Sequence, residues 1–172
     1  MSDKQKLLED IMSSFGFLVN DNFYVLHSFE YYAELFGNFI ALYKSNAKNG
    51  INISISLHKS QIFVYIASVK KPKTQYDLFH LVKLIKEDGK HDDILLPASN
   101  YWDEEPTVAG QIGLAAKQLN SILIFLQELF CKKNYKLTVK RLHEIKKQYE
   151  IEMKSIFDKM EQEYIDNHKS DQ

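Results

Sequence analysis

One cysteine, three prolines, six glycines, one tryptophan and one arginine occur in a chain of 172 residues, and each shortage excludes something. With Cys131 alone, no intramolecular disulfide can form and no thiolate cluster can hold zinc. The glycines are scattered singly, so there is no Gly-rich phosphate loop. A Gly-x-Ser-x-Gly elbow and a His-Glu-x-x-His helix are missing too. Arg141 is the only arginine among 22 basic residues. Arginine is the side chain best shaped for bidentate phosphate and guanine contacts, so its scarcity disfavours sequence-specific nucleic-acid reading. The densest apolar run, Ile122 to Leu126, falls far short of the roughly 20 residues a membrane helix needs. Met1 to Leu7 lacks the apolar core and small-residue cleavage site of a signal peptide. Net charge is −1 and the isoelectric point near 6.6, which gives no bulk pull toward nucleic acid or acidic lipid. A reducing cytoplasm is the expected compartment.

What is present is an apolar fraction of 45%, enough to build a core without disulfides or a structural metal. Leu7, Leu8, Ile11 and Met12 recur at helical spacing behind a Ser2-Asp3 cap. Phe15–Val19 and Phe23–Ser28 are β-rich runs joined by Asn20-Asp21-Asn22, which predicts a hairpin. Residues 30–45 fit either a helix or a strand, since Gly37-Asn38 weakens a helix through Tyr32, Leu35 and Phe39. Ile51, Ile53, Ile55 and Leu57 alternate strictly with Asn52, Ser54, Ser56 and His58, which marks a strand with one buried face. Gln61 to Val69 supplies its partner across Lys59-Ser60. Lys70-Lys71-Pro72-Lys73 then breaks the sheet. Thr74 is positioned to cap a helix through Lys86, with Asp77 in its first turn.

Residues 87–105 read as a loop holding seven acids. Pro106 is expected in the first turn of the next helix, whose apolar residues, Ile112 to Phe130, nearly encircle it as a central core helix should. A last helix runs from Tyr135 to about Asn167. Residues 131–147 carry seven bases and one acid, residues 148–172 three bases and seven acids. The expected architecture is therefore α+β. An antiparallel sheet of four or five strands packs on helices, with a long C-terminal helical hairpin. The expected division is a core over 1–130 and a helical extension over 131–172.

Candidate chemistry is sparse. His91-Asp92-Asp93, with Glu87 and Asp88, has metal-ligand residue types, but a solvated acidic loop is the simpler reading, and no metal or cofactor is expected. Cys131 at a helix C-terminus is poorly placed to become a thiolate, so pairing with His143 as a nucleophile is disfavoured. His27, His58 and His80 lack partners at ligand spacing. The basic run from Lys132 to Lys147 could track a phosphate backbone. It could equally complement the end of the preceding helix and the acids of 87–105. On the last helix, Leu142, Ile145, Tyr149, Met153, Ile156 and Met160 step by three and four like a coiled-coil seam, which points to a homodimer.

Phe36-Gly37-Asn38-Phe39-Ile40-Ala41-Leu42-Tyr43-Lys44-Ser45, followed by Ile51 to Ile66, resembles small bacterial immunity proteins of polymorphic toxin systems. There an aromatic-Gly-Asn strand leads into a hairpin whose second strand begins near a glutamine, as Gln61-Ile62-Phe63-Val64 does. His58-Lys59-Ser60 stands where that family usually has Asp-Arg-Gly. The resemblance covers about a fifth of the chain. It implies a strand over 36–45 and a protein that binds another protein without catalysis, and it assigns no functional residue. The resulting expectation is a non-catalytic bacterial protein-binding module of immunity, inhibitor or accessory type. Its partner, a toxin or a component of a larger complex, would meet the acidic loop (Asp88, Asp92, Asp93, Trp102, Asp103, Glu104) or the exposed Tyr/Asn/Ser face of the sheet. A nucleic-acid-associated protein using 132–147 and a metal-dependent hydrolase using 87–105 are the alternatives. No membrane partner is expected.

Overall fold

In the computed structural model, residues 2–48, 50–87 and 107–169 are described. The elements are α1 (Asp3–Ser14), α2 (Gly16–Asn20), β1 (Tyr24–Tyr32), β2 (Asn38–Ser45), β3 (Ile51–His58), β4 (Gln61–Ser68), β5 (Gln75–Asp77), α3 (Leu78–Glu87), α4 (Val108–Phe130) and α5 (Tyr135–Lys169). Each strand pairs antiparallel with the next, so the sheet is a five-stranded meander in chain order. The α+β architecture with its long C-terminal helical hairpin follows.

The alternation along β3 sets the layering. Ile51, Ile53, Ile55 and Leu57 face inward beside Ile62, Val64 and Ile66 of β4 and Phe39, Ala41 and Tyr43 of β2. Ile112, Ala115, Leu119, Ile122 and Leu126 of α4 join the same core, as do Ile11 of α1 and Leu18 of α2. Each large side chain so buried contributes roughly 1.5–3 kcal/mol. Helix starts are capped by side chains. Ser2 and Gln5 form a reciprocal capping box at 3.3 and 3.1 Å. Thr107 Oγ1 accepts from Gly110 N at 3.1 Å, so α4 begins at Val108, two residues later than a start at Pro106 implies.

Two expectations are corrected. Residues 16–20 form α2, not the first strand of a hairpin. Ile11, Phe15 and Leu18 are all fully buried, and their spacing of four and three is a helical period that overrides the β propensity of Phe and Val. The first hairpin is instead β1–β2, so residues 38–45 are strand, reached through a short 3₁₀ turn at Ala33–Leu35. Second, the helix expected from Thr74 begins at Leu78. Gln75, Tyr76 and Asp77 pair with Ala67, Ile66 and Tyr65. Asp77 then caps α3 from outside, its Oδ1 accepting from His80 N at 2.9 Å.

The core also runs past residue 130. Thr138 Oγ1 donates to Leu129 O at 2.8 Å and Asn134 Nδ2 to Glu128 O at 3.0 Å, closing the α4–α5 hairpin. Leu142 and Ile145, only 2% and 7% exposed, belong to the same apolar cluster as the sheet.

Candidate binding surfaces

At about 100° per residue, Leu142, Ile145, Tyr149, Met153, Ile156, Phe157, Met160 and Tyr164 share one sector of roughly 120° on α5. The fold splits this stripe. Leu142 and Ile145 are buried in the chain's own core. Tyr149 makes edge-on ring contacts with Phe79 (5.2 Å) and His80 (5.4 Å) of α3, and the Lys83 ammonium lies 4.9 Å from its ring centre. Beyond Met153 the support ends: Ile156, Phe157, Met160 and Tyr164 are all exposed. A second chain can therefore reach Tyr149, Met153, Ile156 and Met160 of the expected dimer seam, but not Leu142 and Ile145. Residues 150–165 also carry five acids against two bases, so two copies of this stretch would repel.

The sheet's second face shows a different pattern. Register places Leu42, Ser54 and Tyr65 in one row and Ile40, Ser56 and Phe63 in the next. The hydroxyls of β3 thus lie in a trough between apolar walls. Ser54 is 8% exposed, while Ile40 is 40% exposed. Phe63 and Tyr65 stack at 6.2 Å. Burial, and next the Asp77 carboxylate, raises the Tyr65 phenol above its ordinary range. At the β1–β2 tip, Phe36 is 98% exposed and adopts a left-handed backbone (φ 58°). Gly37 follows at φ 74°, where a Cβ would meet the Tyr31 hydroxyl at 3.3 Å.

A third feature is a cavity of about 430 Å³ between the β4–β5 turn and the α4–α5 turn. Lys70 and Lys71 come from the first turn, Lys132 and Lys133 from the second, and Lys136 from the first turn of α5. Phe130 and Tyr135 line it, with ring centres 6.2 Å apart, and Tyr76 packs on Phe130 at 5.8 Å. Burial, followed by the neighbouring Tyr135 phenol, raises the Tyr76 phenol. Among the described residues, none of the five lysines has a carboxylate partner. Nor are Lys132 and Lys133 needed to cap α4. Its Glu128 and Leu129 carbonyls already accept from Cys131 N, Asn134 Nδ2 and Thr138 Oγ1.

The basic run 132–147 is thus not one surface. Lys132, Lys133 and Lys136 face the cavity. Arg141 pairs with Glu87 at 3.0 Å, the one described acid of the 87–105 stretch. Lys140 and Lys146 sit near Glu144 and Glu150 on their own helix at 3.9 and 4.0 Å. Sequence reading missed Lys70 and Lys71 as site residues, because it treated them as a sheet break. The signal was there in the paired lysines, but only the fold brings them beside Lys132 and Lys133.

His80 was also underestimated. Its Nδ1 meets Asp77 Oδ2 at 2.5 Å, while its Nε2 is buried with no partner among the described residues. Cys131 is a half-buried C-cap residue. Among the described residues no group of three or more His, Cys, Asp or Glu could hold a metal. The expected contact residues Asp88, Asp92, Asp93, Trp102, Asp103 and Glu104, with the alternative metal site around His91, lie outside the described residues. Among the described residues no helix is long and apolar enough to cross a membrane. No protein-family model, curated protein or solved structure matches the chain.

Proposed function

We propose that this chain is a protein-binding module of the immunity, inhibitor or accessory kind, which acts by docking rather than by catalysis. The observation that carries this reading is the unsupported half of α5. Met153, Ile156, Phe157, Met160 and Tyr164 continue the stripe that seats the same helix on its own core, yet from Ile156 onward the stripe faces solvent. Exposed large apolar side chains in a row mark an interaction surface. Anchors spaced by three and four are what a helix offers to a groove.

The acidic flanks define the occupant. Five acids against two bases over 150–165 match an apolar groove with a basic rim on a different protein. Charge complementarity of that kind steers encounter and excludes wrong partners. A second copy is a poorer fit on two counts. It would bring acid against acid. One face of a helix of about 25 Å also falls short of the roughly 800 Å² per partner typical of stable interfaces, whereas a groove wraps the helix. The resemblance of residues 36–66 to immunity proteins supports a partner-blocking role.

The test places a photo-crosslinking amino acid at Phe157 of the full chain in its native host and identifies the adduct by mass spectrometry. The partner is then titrated calorimetrically with the wild-type chain and with an Ile156→Asp/Met160→Asp double variant. One adduct whose affinity falls at least tenfold, about 1.4 kcal/mol, in the variant supports the reading. Adducts only with a second copy, or an affinity indifferent to the variant, refute it.

A further inference from the structure

The five lysines of the cavity present a problem that folding does not explain. Lys70 and Lys71 on one turn, Lys132 and Lys133 on another, and Lys136 at the start of α5 are brought around a single opening. With no described carboxylate paired to any of them, they concentrate positive field in a cleft whose walls are apolar. Like charges gathered this way repel one another, and an anion in the opening would relieve that. The apolar part of the lining is aromatic: Phe130 and Tyr135, with the Lys71 ammonium 5.5 Å from the Tyr135 ring centre. At about 430 Å³ the cavity is within the range of small-molecule sites, roughly 300–1,000 Å³.

We infer that this cavity is a nucleotide-binding site, in which the lysines hold the polyphosphate and the half-buried Tyr135 ring, backed by the buried Phe130, seats the base. Lysine suits this role: its ammonium is a strongly hydrated point charge with three donors, able to share a flexible, multiply charged chain of phosphates. A base stacks on an aromatic wall whatever its identity, because every base has a π face. The two demands fit one ligand with a flat ring at one end and several negative charges at the other. An acidic peptide supplies the charge but not the flat ring. A nucleic-acid strand supplies both but extends well past a cleft of this size. The inference is independent of the docking role of α5, whose exposed stripe begins at Ile156, more than five helical turns (about 30 Å) from Lys136.

The experiment is calorimetric titration of the full chain with ATP, adenosine, tripolyphosphate and a short oligothymidylate, at two salt concentrations. ATP is expected to bind, with affinity falling as salt rises. Adenosine and tripolyphosphate are each expected to bind about tenfold or more weakly, since each keeps half of the ligand. The Lys71→Glu/Lys133→Glu variant reverses two charges on opposite turns and should abolish ATP binding. Lys140→Glu, on the same helix but outside the cavity, should leave it unchanged. Tyr135→Leu should weaken ATP while leaving tripolyphosphate unchanged, which a merely electrostatic or structural role for that residue would not do. No ATP binding at millimolar concentration overturns the inference. So does equal affinity for ATP and tripolyphosphate, tighter binding of the oligothymidylate than of ATP, or ATP binding that survives the double lysine variant.

Discussion

Phe36 is a residue whose backbone strain no burial offsets. It stands at the β1–β2 tip with 98% of its surface exposed and φ at 58°. A left-handed backbone costs a non-glycine residue about 1–2 kcal/mol, and a side chain so exposed returns almost nothing by burial. Replacing it with glycine removes that strain but frees the unfolded chain, at a cost of roughly 0.5–1 kcal/mol. The net expectation for Phe36→Gly is stabilisation by about 0.5–1 kcal/mol, or roughly 1–4 °C in Tm for a chain of this size. Ser60→Gly is the control. Ser60 is also left-handed (φ 64°) in an exposed turn, so the same arithmetic applies without an aromatic ring. Urea unfolding followed by circular dichroism reads both variants. Destabilisation by Phe36→Gly alone would show that the ring contributes to folding and would refute the reasoning. Equal stabilisation of both leaves the exposed phenylalanine without a folding role.

Two further outcomes follow from buried polar groups. Burial pushes the Tyr43 phenol from 10.0 up to about 12, so its contribution is fully present below pH 10 and declines as pH rises toward 12, where the unfolded chain has already lost the proton. Alkaline unfolding should show a fall on the order of 2 kcal/mol across that window, and Tyr43→Phe should flatten it. An unchanged profile would refute the assignment to Tyr43. Gln111 is buried in α4, where its Oε1 accepts from Ile62 N at 3.2 Å and its Nε2 donates to Ser60 O at 3.3 Å. Gln111→Leu strands the Ile62 N–H and should cost about 1–3 kcal/mol in chemical denaturation, since the Ser60 carbonyl at an exposed turn can turn to water. A loss below about 0.5 kcal/mol would mean that Ile62 N finds another acceptor.

The fold was legible wherever a single period dominated a segment. Strict alternation at 51–57 and threefold-fourfold spacing at 112–130 each admit one structure, and both elements form as read. Segments with competing signals failed. At 15–19, Phe and Val favour strand locally, but Phe15 and Leu18 extend the face of Ile11, and burial of that face settles the matter. At 74–77 the polar-aromatic run carries too few residues for a period to show. Its strand exists only because β4 offers an open edge to Tyr76 and Asp77. The α5 seam was read correctly as a stripe and incompletely as a surface. Periodicity says that Leu142 and Met160 share a face, but not that the core covers only the first of them.

The same limit applies to charge. Lys132 to Lys147 reads in sequence as one basic block, yet the fold sends its members to separate destinations, and the residues completing the cavity lie some sixty positions earlier. A cluster assembled across two turns leaves no spacing for sequence to reveal. The lysine cavity lies at the start of α5 and the exposed acidic stripe toward its end, separated along the axis by about 1.5 Å per residue. Thr138, Leu142 and Ile145 lock the intervening turns to the core. A ligand in the cavity therefore leaves the distal stripe open, and a partner on the stripe leaves the cavity open. Variants at Ile156 and Met160 should not change nucleotide affinity, and variants at Lys71 and Lys133 should not change partner affinity. Cross-effects in either direction would show that the helix seat between them moves, and would tie the two surfaces into one binding event.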